Sequence, residues 1–469
     1  MHLVYSSSLP LGLTKGRKAR NIERRSWLDI SENSNDPKTE TTTTRSQQPS
    51  NGPALRVLYQ RNFRLYWLGQ LVSLVGTWMQ QLAFSWVVLD LSRSAFALGT
   101  VNFVSALPPA LLLLYGGTIA DRFSKRKVLI VSQIAFMTGA FVLAWLVHSG
   151  YLRMWHILAM AVAMGVAQAF DLPASQALVP ELVEPQQIAP AVQLNQAIFH
   201  GSRFIGPPLA GWLIARYGTY AGFLVNGISF VPVIATLFVI RSLRPGQSRP
   251  RKESTLTAMK VGFAYVQEHP FVLNLMGITA LATTLVFPNM VVLMPYYVKD
   301  VLHQNAGAVG TVMGASGLGA FVGAMSLLVV RAEQRLRRIV LGMTGVTTAM
   351  LILGLTATVH LGQWGQVSTN LILVCVGAVV QGLSMSSSLG LVNSIIQQAV
   401  PDELRGRVTS LQTLVFIGIM PFSSLLMTKI VDIVSMPREL IGAALCYGVG
   451  AVILFRRLSG DKVKEALHA

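Results

Sequence analysis

Cysteine is almost absent from the chain: the 469 residues include two, Cys375 and Cys446, and both sit inside apolar runs. There they act as small packing residues, so neither a disulfide framework nor a metal centre is implied. Charge is scarce as well. Asp, Glu, Lys and Arg make up 12% of the residues, about half of the roughly 25% usual in soluble domains. Acids are the scarcer sign, 20 against 38 Lys and Arg, which leaves a formal net charge of +18. A nucleic-acid surface needs such cations gathered on a folded polar face, whereas here they collect at the ends of apolar runs; nucleic acid is excluded as a partner. The chain has no His-Glu-x-x-His, no P-loop and no pair of acids within one apolar run. A membrane-embedded enzyme and an ATP-driven pump both lack their chemistry, and no cofactor is expected.

Long apolar runs are what the sequence does have. About twelve are long enough to cross a bilayer, which takes about twenty residues. They centre near Leu74, Leu111, Phe136, Val162, Arg203, Pro232, Leu285, Gly317, Ala349, Val379, Phe416 and Ala444. The reading is an all-α integral membrane protein, multi-pass, with both termini on one side. Basic residues orient it: 31 lie on the side of the N-terminal tail, and six, Arg93, Arg153, Arg216, Lys299, Lys429 and Arg438, on the other. The tail side is expected in the cytoplasm, with the chain in the inner (plasma) membrane.

Residues 1–53 are basic and then rich in Ser, Thr, Asn, Gln and Pro, a composition that cannot bury enough apolar surface to fold. They read as a disordered cytoplasmic tail or an over-extended translation start. Residues 54–243 hold the first six spans, residues 244–269 a Pro- and Arg-rich cytoplasmic linker, residues 270–458 the last six spans, and residues 459–469 a second tail. In the linker, Leu256, Met259, Phe263 and Val266 share one helical face, as an amphipathic helix on the membrane surface requires. The halves repeat. Gly99-Thr100-Val101 recurs as Gly310-Thr311-Val312, and Gln168 recurs as Gln381.

One short stretch, from Gly117 to Lys127, puts Asp121, Arg122, Lys125 and Arg126 between two long apolar runs. Gly117, Asp121, Arg122, Lys125 and Arg126 resemble the loop signature G-x-x-x-D-R-x-G-R-K/R of the major facilitator superfamily, with Ser124 in place of a glycine. The resemblance covers roughly Leu55 to Leu458. It implies two pseudo-symmetric six-helix bundles with a cavity between them that opens alternately to either side. Phrases such as Asn62-Phe63-Arg64-Leu65-Tyr66-Trp67 and Pro401-Asp402-Glu403-Leu404-Arg405-Gly406-Arg407 are similar to the branch of enterobactin exporters and macrolide efflux proteins. By that likeness the chain is a monomeric secondary transporter exporting a bulky amphipathic small molecule, a siderophore or a drug, by proton antiport. A uniporter or sensor on the same fold stays open, because no Asp or Glu occurs between Phe63 and Val88.

The family's latch would dock Asp121 on the N-terminus of the eleventh span, beginning near Glu403 to Val408, where free N–H groups and partial positive charge favour a carboxylate. In the fifth span, Gly206-Pro207-Pro208-Leu209-Ala210-Gly211 resembles the exporter motif G-P-x-x-G-G. Ser202, Gly206 and Ala210 recur every four residues, a stripe that permits close helix approach, with Gly319 and Gly323 of the eighth span as the expected partner. Asp171 is the one carboxylate well inside a first-half span, and intramembrane acids are costly and functional. It is either a proton-coupling group or half of an ion pair with Arg203, Lys125 or Arg126. Trp78, Gln81, Gln168, Phe287, Asn289 and Gln381 are the expected wall of an amphipathic cavity.

Overall fold

The computed structural model describes residues 54–122, 124–240, 255–359, 363–364 and 367–458, of which 54–55, 113–122, 255–259, 328, 332, 363–364 and 367 are described by backbone alone. Both tails and residues 241–254 lie outside the described residues. The twelve expected spans are twelve helices: α1 (Arg61–Ser92), α2 (Ala95–Arg122), α3 (Lys125–His148), α4 (Met154–Leu178), α5 (Ile188–Tyr217), α6 (Thr219–Val239), α7 (Pro270–Leu285), α8 (Ala306–Ser326), α9 (Arg335–Thr356), α10 (Thr369–Ala399), α11 (Asp402–Val434) and α12 (Met436–Leu458). Eleven of these spans, α7 with its extension, are long and apolar enough to cross a membrane. The other, α5, is long enough but carries Gln193, Asn195, Gln196, His200 and Arg203. Among the described residues, β structure is confined to the two-residue strands Gln363–Trp364 and Val367–Ser368, paired between α9 and α10.

α7 does not stop at Leu285. Pro288 and Pro295 each remove a backbone donor, and the chain answers with wide π turns at Pro288–Leu293 and Tyr297–Val301 on either side of Met294–Tyr296. Such turns keep the chain helical while shifting which side chains face inward.

The six-helix repeat is visible in the packing. In the first bundle α1 lies against α5 and α6, α2 against α4, and α3 against α4 and α6; in the second, α7 lies against α11 and α12, α8 against α10, and α9 against α10 and α12. The bundles meet along α2 with α11 and along α5 with α8. The repeated Gly-Thr-Val stands at those two seams: Gly99 of α2 approaches Ser424 and Thr428 of α11, and Gly310 of α8 approaches Pro207 and Gly211 of α5. Outward-facing Trp145, Trp155, Trp212 and Phe422 are each more than half exposed, as lipid-facing side chains are.

The linker helix, Thr255–Glu268, lies against α11, with Gly262 over Arg407 and Leu411. Of the expected face, Val266 is buried and Phe263 exposed, while the side chains of Leu256 and Met259 lie outside the described residues. The line Gly262 to Val266, four residues apart, makes the contact because glycine lets the helix come close enough.

Candidate functional site

Asp171 sits on the side of α4 that packs on α3. Its Oδ1 accepts hydrogen bonds from Ser132 Oγ at 2.6 Å and Gln133 Nε2 at 2.9 Å. Both donors are buried, at 4% exposure. The expected ion pair is not formed: among the described residues no cation pairs with this carboxylate. The reason lies in helix facing. Arg203 turns from α5 towards α1, where its guanidinium carbon stands 5.5 Å from the centre of the Trp78 ring. Lys125, at the start of α3, pairs with Glu181 in the short turn after α4. Arg126 donates to the carbonyls of Phe238 at 2.7 Å and Ile240 at 3.3 Å, which satisfies the open C-terminal end of α6.

Two motif-loop cations thus brace the first bundle internally. Gly117, Asp121 and Arg122 lie on the last turns of α2, but their side chains lie outside the described residues, as does Phe123. The helix they would dock on begins at Asp402, and its first turn carries Asp402 and Glu403, with Asp402 paired to Arg405 at 2.5 Å.

The glycine motif of α5 serves two neighbours. Gly206, in the expected stripe with buried Ser202 and Ala210, faces α1: a Cβ on it would lie 2.6 Å from Trp78 Cβ. The contact with α8 is made by the next face. There a Cβ on Gly211 would lie 2.6 Å from the Ala306 carbonyl oxygen, and Gly317 of α8 fits against the backbone of Arg203 and Phe204. Gly314 fits against Pro208. Gly319 and Gly323, the expected partners, instead let α8 close on Val379 and Leu383 of α10. A helix so rich in glycine has close faces on two sides, and periodicity alone does not say which neighbour takes which.

The expected cavity wall divides. Trp78 is half-buried between Arg203 and Phe199, whose ring centre is 5.7 Å away edge-on. Gln81 is half-buried and Gln168 exposed. Phe287 meets Phe416 edge-on at 4.7 Å. Asn289 and Gln381 are 2% and 1% exposed; they are packing residues within the second bundle, contrary to expectation, because the π turn rotates Asn289 towards α12 and Gln381 lies on the buried face of α10.

At the end of the bundle opposite the motif loop, the two bundles are tied together by polar groups. Asp90 of α1 pairs with Lys299 of the α7 extension, whose ammonium also lies 4.4 Å from the centre of the Trp86 ring. Ser94 donates to Asp432 of α11 at 3.2 Å, and Lys429 lies 5.2 Å from the centre of the Phe96 ring. None of these pairs was legible in advance, since each joins residues more than two hundred positions apart.

One buried acid also escaped notice. Glu439, in the first turn of α12, is 4% exposed and accepts a hydrogen bond from Asn289 Nδ2 at 3.0 Å. In sequence it looks like a loop charge beside Arg438.

Residues 53–466 match the family model described as transmembrane secretion effector, a branch of the major facilitator superfamily. The chain belongs to that family. The chain is 24% identical to the staphyloferrin A transporter of Staphylococcus aureus over 84% of its own length and 96% of that protein. It is 22% identical to macrolide efflux protein A of Streptococcus pyogenes, over 80% and 90%. It is 25% identical to the multidrug efflux pump Tap of Mycobacterium tuberculosis, over 86% and 93%. Among solved structures, a bacterial homologue of the iron transporter ferroportin in its inward-facing state superposes with a TM-score of 0.62 at 14% identity, covering 87% of this chain and 99% of that one. At that identity the likeness concerns the fold. The chain is a multi-pass membrane transporter, not an enzyme.

Proposed function

We propose that this secretion effector exports a bulky, partly apolar small molecule of the siderophore or macrolide kind across the plasma membrane, by alternating access coupled to proton entry. The observation that carries the coupling is Asp171: an intramembrane carboxylate held by neutral donors from α3, so its charge is free to change. A salt-bridged carboxylate would stay ionised. The printed names of the relatives support the substrate class, and the half-buried Trp78, Gln81 and Phe287 supply the mixed aromatic and amide surface such a solute needs.

The 31 basic residues on the tail side support a cytoplasmic motif loop and cytoplasmic termini, and the opposite end is then the outer one. The Asp90–Lys299 and Ser94–Asp432 contacts hold that outer end shut, which fits a transporter waiting to load from inside. On opening outward, Asp121 docks on the N-terminus of α11 as a latch worth about 1 kcal/mol. The protein works as a monomer, its cavity lying between its own two bundles.

The experiment is efflux from cells deficient in their own pumps, with a macrolide, a fluorescent amphipathic dye and a siderophore as probes, before and after the proton gradient is collapsed. Export of at least one probe that stops with the gradient supports the reading. Movement that ignores the gradient replaces it with uniport, and no movement of any probe removes the substrate class. Single cysteines at Ser46 and Ser254 that react with impermeant thiol reagents from outside overturn the orientation.

A further inference from the structure

The corner where the α7 extension meets α12 has no part in the coupling just described, yet it holds a buried acid. Glu439 and Asn289 are 4% and 2% exposed. Asn289 Nδ2 donates to the Leu285 carbonyl at 3.1 Å and to Glu439 Oε1 at 3.0 Å. A backbone carbonyl can only accept, which fixes the amide with its nitrogen towards Glu439. Oε1 is therefore an acceptor, and Oε2 has no partner among the described residues, nor has Asn289 Oδ1.

Among the described residues no cation balances the carboxylate. The packed neighbour α9 has no ionisable side chain from Ile339 to Thr356. On α7, Tyr297 donates to the Leu353 carbonyl at 2.6 Å, Lys299 is taken by Asp90, and Tyr296 and Asp300 are themselves neutral or acidic. On α11, Lys429 lies over Phe96 and Asp432 accepts from Ser94. On α12 itself the ionisable groups are Arg438, Cys446, Tyr447, Arg456 and Arg457, and none of them pairs with Glu439. An unpaired buried anion is far costlier than the neutral acid.

We infer that Glu439 and Asn289 form a proton-binding site in the second bundle, with the proton on Glu439 Oε2 while the outer end is shut. Glu439 lies in the first turn of α12, at the end of the bundle that also carries the Asp90–Lys299 pair. When ionised, the carboxylate faces the positive end of its own helix, so the proton is exchanged with the water at that end of the bundle. The site carries no proton across the membrane; which side it faces rests on the function proposed above, whereas the binding of a proton does not.

The test reads the proton directly on the purified full chain, with no substrate. Infrared difference spectra between acid and alkaline pH should contain a protonated-carboxyl band that is lost in Glu439→Gln and moved in Glu439→Asp. In parallel, a hydrophobic carbodiimide, which attacks protonated carboxyl groups, should modify Glu439 of the unaltered protein, with yield falling at least tenfold as pH rises through the titration. That second measurement needs no variant to fold. A carboxyl band that persists in Glu439→Gln but disappears in Asp171→Asn overturns the site, as does carbodiimide mapping that finds Asp171 modified and Glu439 untouched. Displacement of the proton by sodium at fixed pH also overturns it, in favour of a metal-cation site. Failure of the efflux assay with the band intact would remove the proposed function and leave this site standing.

Discussion

Ser132 on α3 donates a 2.6 Å hydrogen bond to Asp171 on α4, and the second bundle makes the same contact without either group. Displaced by one repeat of 213 positions, the pair becomes Gly345 and Ser384, and there a Cβ on Gly345 would collide with Ser384 Oγ. The fold is satisfied by a glycine against a serine at this place. The acid and its donors in the first bundle are therefore not a requirement of packing.

Asp171→Asn should fold normally, since an amide oxygen still accepts from Ser132, with a stability change of no more than about 1–2 kcal/mol. Efflux should lose its dependence on external pH. Thermal unfolding and dye efflux across external pH check the two halves of the expectation. An unaltered pH profile would return Asp171 to a structural role.

The seam between α5 and α8 tolerates no added methyl groups. A Cβ at Gly310 would collide with the Pro207 carbonyl and lie 3.1 Å from the Gly211 backbone, so Gly310→Val should destabilise the protein by about 1–3 kcal/mol, the usual cost of overpacking, and slow efflux. Gly442 of α12 has open space around it. Gly442→Ala is the control, expected neutral or stabilising by up to about 1 kcal/mol. Unfolding temperatures of the two variants in one detergent decide.

Breaking the outer seal should shift the conformational balance. Asp90 is half exposed in its pair with Lys299, which limits the pair to about 1 kcal/mol or less, so Lys299→Met should raise the outward-open population by up to about fivefold. Spin labels on Leu91 and Ile433, exposed side chains at the ends of α1 and α11 away from the motif loop, report it as a longer distance. The charge-swapped pair Asp90→Lys with Lys299→Asp should restore the short distance.

The brace under the motif loop is of another kind. Lys125 and Glu181 keep side-chain exposures of only 8% and 12%, so the charge-assisted contact between them is shielded from water, and losing it should cost about 1.5–3 kcal/mol. Glu181→Gln should lower the unfolding temperature strongly, and adding Lys125→Met should recover part of the loss. A double variant no better than the single one would mean that the pair contributes little.

Whatever depends on neighbours in the chain was present in the sequence. Twenty-residue apolar runs fix the spans, because a bilayer leaves the backbone no other way to satisfy its polar groups, and the repeated Gly-Thr-Val marked the two halves, although its place at both seams between them came only with the structure. The glycines of α5 and α8 announced a close approach as well. Which glycine meets which helix was decided only in three dimensions, because Gly206 and Gly211 differ by little more than one turn yet face α1 and α8. The same holds for the charges. Asp171 stood out as an intramembrane acid, but its partners depend on the rotation of α4 against α3, and Arg203 went to Trp78 when α5 turned towards α1. Glu439 is the extreme case. In the chain it is a charge beside Arg438 at the mouth of a span, and only the π turns of α7, which rotate Asn289 towards α12, make it a buried acid with one oxygen bonded and the other without a partner.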